Sequence, residues 1–174
     1  MVMWVFGYGS LIWNAGFQYD QKLAGFIKGY RRVFYQVGST DHRGTPAFPG
    51  RTVTLELAPD DLCYLEVREK QYDQKVYVDL FTDSSSPTPA VSGVMVYVAS
   101  PDTKANTNYL GPAPIEDIAK QIIKAEGPSG RNRDYLFQLE EALNRLGCFD
   151  MHVRDLANAV RELLKDIKAE SDIY

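Results

Sequence analysis

A glycine-rich turn, a pair of carboxylates, a loop histidine and a tyrosine ahead of a proline-rich connector are the groups in this chain whose types and spacing suit chemistry. Val5, Phe6, Gly7, Tyr8, Gly9, Ser10 and Leu11 form an apolar run that breaks at two glycines. The main-chain N–H groups of such a turn can line a concave nest for an anion such as a carboxylate. The same residues also read as a plain tight turn. They are not a dinucleotide fingerprint, because Ile12 stands where the third glycine belongs and no parallel βαβ unit follows. Nor does Ser10 have the Gly-x-Ser-x-Gly frame of a nucleophile elbow.

Glu66 and Glu69 lie three apart, with Arg68 and Lys70 interleaved. They read either as a solvated charged turn or as the source of a general base, if one carboxylate is partly desolvated and its pKa raised. Ser39 to Pro46 has the composition of a polar loop, and His42 within it reads as a hydrogen-bonding loop residue. The only other histidine, His152, falls in what reads as a surface helix, which argues against a two-histidine metal site. Tyr109, in Asn108-Tyr-Leu-Gly-Pro-Ala-Pro114, suits either a pocket or the core.

The elements that must position these groups change character midway. Met3–Phe6, Tyr30–Gln36, Arg51–Leu57, Gln74–Thr82 and Val91–Ala99 read as strands. Val53, Leu55 and Leu57 are expected on one face of the third, with Thr52, Thr54 and Glu56 on the other. After Pro112 the period becomes helical. Ile115, Ile118, Ala119, Ile122 and Ile123 form one stripe, with Pro114 in the first turn and Gly127 at the end. Leu136, Leu139, Leu143 and Leu146 form a second, closed by Gly147. Val153, Leu156, Val160, Leu163, Leu164 and Ile167 form a third. Strands followed by helices without alternation imply an α+β class, closed most naturally as a curved antiparallel sheet or small barrel with helices outside.

The 174 residues suit a single domain over 1–174, its helical part about 114–168. A net charge of −4 argues against a nucleic-acid or anionic-membrane surface, and no apolar run is long enough to span a bilayer. Cys63 and Cys148 make no disulfide framework and suit a reducing compartment, so a cytoplasmic location is expected. Oligomeric state is not set by these features.

Four segments stand in an informative order: Trp4-Val-Phe-Gly-Tyr-Gly-Ser-Leu-Ile-Trp13, Ser39-Thr-Asp-His-Arg-Gly-Thr-Pro46, Val67-Arg-Glu-Lys70 and Asn108-Tyr-Leu-Gly-Pro-Ala-Pro114. With Gly127-Pro-Ser-Gly130, Asn132 and Asp134-Tyr-Leu-Phe137, they resemble the ChaC-type γ-glutamylcyclotransferases, most of all the plant members of the glutathione-specific group, from Met1 to about Ala159. The resemblance implies a small mixed or antiparallel β-barrel flanked by helices. It implies an enzyme, a lyase, that splits glutathione into 5-oxoproline and Cys-Gly. Glu69 would be the catalytic base, and the turn from Val5 to Ser10 would hold the γ-glutamyl end through its N–H groups. Tyr8, Ser10, Arg43 and Tyr109 would add contacts. No cofactor is required by that chemistry, although Mn²⁺ is possible by resemblance to plant relatives.

One departure stands out. Family members carry a further strand and a charged helix after the Cys63 position, whereas here Cys63 runs directly into Tyr64-Leu-Glu-Val-Arg-Glu69. A barrel lacking one strand and part of a helix is therefore expected, with open edges. That leaves an alternative function: a catalytically impaired or silent relative that binds γ-glutamyl compounds or a partner.

Overall fold

The runs richest in β-branched and aromatic residues form the longest strands of the computed structural model, which describes residues 3–14, 16, 18–38, 42–65 and 74–171. β2 (Gly25–Gly38) and β3 (Gly50–Leu65) pair antiparallel, from Gly25 opposite Leu65 to Gly38 opposite Gly50. Ile27, Val33, Phe34, Val53, Leu55 and Cys63 are buried from this ribbon. Mid-ribbon the register jumps: Lys28 pairs with Leu62 and Tyr30 with Leu57, so Gly29 alone faces Ala58 to Asp61. Gly29 adopts φ +82°, a conformation that a side chain would resist. Beyond the jump the ladder resumes, and β3 passes without interruption through Cys63 and Tyr64.

A second sheet has the order β1–β5–β4. β1 (Val5–Phe6) runs parallel to β5 (Val91–Val98), and β4 (Gln74–Leu80) runs antiparallel to it. The α+β class, with mainly antiparallel pairing and flanking helices, is as expected, but the sheets do not close into a barrel among the described residues. They meet at a bridge between Phe26 and Phe81, with backbone bonds of 2.8 and 2.9 Å, and at Thr54, whose hydroxyl accepts the Ala99 N–H at 3.1 Å. β1 is too short, and turns away too early at Gly7, to carry a ladder across the gap.

Two residues of β3 depart from the expected alternation, for different reasons. Thr54, expected outside, is fully buried because its hydroxyl serves the second sheet. Leu57, expected inside, is 73% exposed because it stands where the register jumps.

Three helices cover the sheets. α1 (Ile115–Lys124) starts after Pro114 and buries Ile118, Ala119 and Ile122. α2 (Asn132–Arg145) buries Tyr135, Leu136, Leu139 and Leu143, and Gly147 follows it at φ +69°. α3 (Met151–Ser171) buries Val153, Leu156, Ala157 and Val160, each large side chain contributing about 1.5–3 kcal/mol. Its last turns run past the core, leaving Ile167 51% exposed. Gly127 does not end α1. It belongs to a short hairpin, β6 (Glu126–Gly127) and β7 (Gly130–Arg131). Among the described residues no helix is long and apolar enough to cross a membrane.

Candidate active site

The glycine turn leaves the end of β1 and enters a 3-10 turn over Ser10–Ile12. Phe6, Gly7, Tyr8 and Gly9 are buried, Val5 and Ser10 half-buried. Tyr8 is held at both ends. Its hydroxyl donates to the Tyr97 carbonyl at 2.7 Å, and its own carbonyl accepts Nε of Arg32 at 2.8 Å. The Gly9 carbonyl takes the Ile12 N–H at 3.1 Å, while its N–H has no acceptor among the described residues. Buried main-chain donors without a partner are rare, so this amide is a natural seat for an anionic group.

Arg43 reaches the neighbourhood of the turn through α2. Its guanidinium lies 5.7 Å from the Tyr135 ring centroid and donates to the Arg131 carbonyl at 3.3 Å. Trp13, just past the 3-10 turn, packs on the same Tyr135 at 5.6 Å. Tyr135 thus joins the turn and the Arg43 loop. Within Asp134-Tyr-Leu-Phe137, the residue type alone does not mark it as part of a site. An aromatic near the start of a helix, three residues after Asn132, is the signal that could have marked it.

Close backbone approach fixes the loop itself. A Cβ on Gly127 would lie 2.4 Å from the His42 carbonyl oxygen, and one on Gly44 would lie 2.2 Å from the Gly50 nitrogen. The β6–β7 hairpin is thereby pressed onto residues 42–44, and the Ser129 N–H donates to the His42 carbonyl at 2.9 Å. His42 is exposed, with its ring nitrogen 3.4 Å from Ser129 Oγ, in keeping with a hydrogen-bonding loop residue. Below the loop, Asn132 pairs with both main-chain groups of Arg51, at 2.7 and 2.8 Å. Arg51 also donates to Gln121, Phe34 and Gly111, tying α1, α2 and β3 together.

Tyr109 lies elsewhere. Its backbone bridges to Gln36, and its ring packs edge-on against Tyr35 at 6.4 Å. Burial pushes the hydroxyl pKa of both tyrosines upward. Its hydrogen bonds and ring contact run to β2 and to its own connector, not to the turn. Glu69, the expected base, and Glu66 lie outside the described residues, between the end of β3 and the start of β4.

His152 is not on a surface face. It stacks against Phe34 and Tyr35, and its Nε2 accepts the Phe34 N–H at 3.2 Å, in the stretch where the β2–β3 ladder is irregular. Burial lowers its pKa. Burial also pushes the Cys63 thiol up to about 12 and the Cys148 thiol upward, so neither supplies a thiolate nucleophile at neutral pH. Among the described residues, no three His, Cys, Asp or Glu side chains form a group that could hold a metal ion. A cleft of about 360 Å³ opens between β2, β3 and the start of α3. Arg32 and Asp150 form part of its wall, and none of the expected site residues lines it.

The α+β fold is shared with solved structures. The chain superposes on a crystal structure of the yeast γ-glutamyl cyclotransferase specific to glutathione with a TM-score of 0.77 and 28% identity, covering 92% of this chain and 98% of that one. It is 66% identical to γ-glutamylcyclotransferase 2-3 of Arabidopsis thaliana, over 95% of this chain and 92% of that protein. It is 38% identical to glutathione-specific γ-glutamylcyclotransferase 1 of Danio rerio, over 95% and 91%. The family model described as ChaC-like protein matches residues 3–64 and 56–163. The chain belongs to the ChaC-like family.

The two matched stretches overlap at residues 56–64, around the register jump of β3. The Arabidopsis alignment spans 184 positions, and 95% of 174 residues is about 165, so about 19 positions have no residue of this chain.

Proposed function

We propose that this protein cleaves the γ-glutamyl amide of glutathione by internal cyclisation, releasing 5-oxoproline and Cys-Gly. The observation that carries the proposal is the buried glycine turn, whose Gly9 amide has no acceptor among the described residues, in a chain that matches glutathione-specific relatives over nearly their whole length. The α-amino nitrogen of the glutamyl unit attacks its own γ-carbonyl carbon. A C–N bond forms and closes a five-membered ring, and the amide C–N bond to cysteine breaks. No water is consumed. The protons lost as the ammonium becomes a lactam nitrogen are those gained by the leaving amine. Because attack is intramolecular, proximity is supplied by the substrate itself.

The protein's tasks are to hold the glutamyl end and move protons. Val5, Phe6, Gly7, Tyr8, Gly9 and Ser10 hold the α-carboxylate, chiefly through main-chain N–H groups. Tyr8 and Ser10 add side-chain contacts, the Tyr8 hydroxyl donating at the same time to the Tyr97 carbonyl. Arg43 adds positive charge from the adjoining loop, and Tyr109 closes a more distant wall. Glu69 takes the proton from the α-ammonium and returns one to the leaving nitrogen. None of these steps calls for a metal.

Burial of Cys63, without any disulfide framework, supports a reducing, cytoplasmic setting. A core drawn from strands and helices alike supports action as one domain. The silent-binder alternative is not favoured, since the β3 ladder continues through the junction and the relatives are matched nearly end to end.

The test is direct. Wild type and Glu69→Gln are incubated with millimolar glutathione, and 5-oxoproline and Cys-Gly are quantified. Loss of a general base predicts a fall in rate of about 10²–10⁴-fold. Equal background release from both proteins would reject the enzyme, and binding without product would identify a silent relative.

A further inference from the structure

We propose that Arg32 and Asp150 are positioning residues for the glutamyl-binding turn, holding the Tyr8–Gly9 peptide so that the Gly9 N–H faces the substrate carboxylate. The inference rests on the reading of the turn given above. Arg32 lies in the apolar stretch of β2, between Arg31 and Val33, yet its side chain is 1% exposed. A buried guanidinium is expensive compared with an apolar residue of similar volume. Two directed bonds suit this residue type. Nε donates to the Tyr8 carbonyl at 2.8 Å, and one terminal nitrogen donates to Asp150 at 2.5 Å. The planar fork delivers both bonds at a fixed angle, which an ammonium cannot do.

The effect on the turn follows from peptide geometry. All peptide bonds of the described chain are trans, so a carbonyl and the N–H of the next residue point in opposite directions. Drawing the Tyr8 oxygen toward Arg32 therefore turns the Gly9 N–H to the opposite side. That amide is buried and has no acceptor among the described residues. Asp150 fixes Arg32 in turn. One carboxylate oxygen takes the guanidinium, and the other accepts the Val153 N–H at 3.0 Å, capping α3. The start of α3, the middle of β2 and the substrate turn are linked by three consecutive hydrogen bonds.

Arg32→Lys keeps the charge opposite Asp150 but loses the second directed donor. Loss of ground-state binding predicts a KM for glutathione raised about tenfold with kcat within about twofold of wild type. In ¹⁵N-labelled protein without substrate, the Gly9 amide resonance should move while those of α1 stay in place. A purely structural role would lower kcat with the folded fraction and leave KM unchanged, and that result, or an unmoved Gly9 amide, overturns the proposal. If wild type releases no 5-oxoproline, the functional reading fails on its own, and the Gly9 amide alone decides. Should Arg32→Lys fail to fold, Asp150→Asn, which keeps the helix cap but not the charge, is judged by the same two criteria.

Discussion

His152 owes its state to what surrounds it. Burial pushes its pKa below the ordinary 6.5, Asp150 opposes that shift, and Arg31 adds to it. The ring accepts the Phe34 N–H, which requires a neutral imidazole. In the unfolded chain the same ring gains a proton near 6.5, so below that pH the unfolded state binds more protons than the folded one. Stability from this residue is complete above 6.5 and is lost as pH falls toward the depressed folded value. Thermal melts of wild type and His152→Gln, which keeps an acceptor, should diverge between about pH 7 and 5, by at most about 1.4 kcal/mol per pH unit. Parallel curves would show that the ring does not titrate as argued.

At the scale of elements, the site depends on backbones that touch. Gly127→Ala places a methyl 2.4 Å from the His42 oxygen and 2.5 Å from the Gly44 nitrogen, both main-chain atoms that cannot swing aside. The β6–β7 hairpin must then lift from the loop, carrying the Arg131 carbonyl away from Arg43. Overpacking of this kind should cost about 1–3 kcal/mol, read from the urea midpoint. An unchanged midpoint would mean that the loop yields freely. Helical stripes were legible in the sequence because each helix needs only its own period, and the buried faces of α1, α2 and α3 follow it until Ile167 outruns the core. Gly127 was less legible, because a glycine after a helix fits a cap and a close approach equally well. Sequence alone places His152 on a surface face, because its burial comes from Phe34 and Tyr35, far away in sequence. Nothing local separates the buried guanidinium of Arg32 from the exposed one of Arg31.

The described residues form two main sheets and the short β6–β7 hairpin under a helical cover, and the join between the main sheets is the part least visible in the sequence. Alternation predicts faces within a strand, but it does not say which strands meet. The Phe26–Phe81 bridge and the Thr54 hydroxyl make that join, and neither carries a periodic signal. The turn, by contrast, was recognisable from Gly7 and Gly9, because a strand that must bend sharply demands them.

The jump opposite Gly29 has a consequence for how this chain can change over time. Along a regular ladder, one added residue turns every later side chain from inside to outside. Between Ala58 and Asp61 an added residue only lengthens an exposed excursion, since pairing restarts at Leu62. A single serine inserted after Asp60 should therefore cost no more than about 1 kcal/mol by loop entropy, whereas the same residue inserted after Val53 should abolish folding, with circular dichroism melts separating the two. A gene encoding this fold can lose or gain codons at that spot while the protein's interior stays as it was.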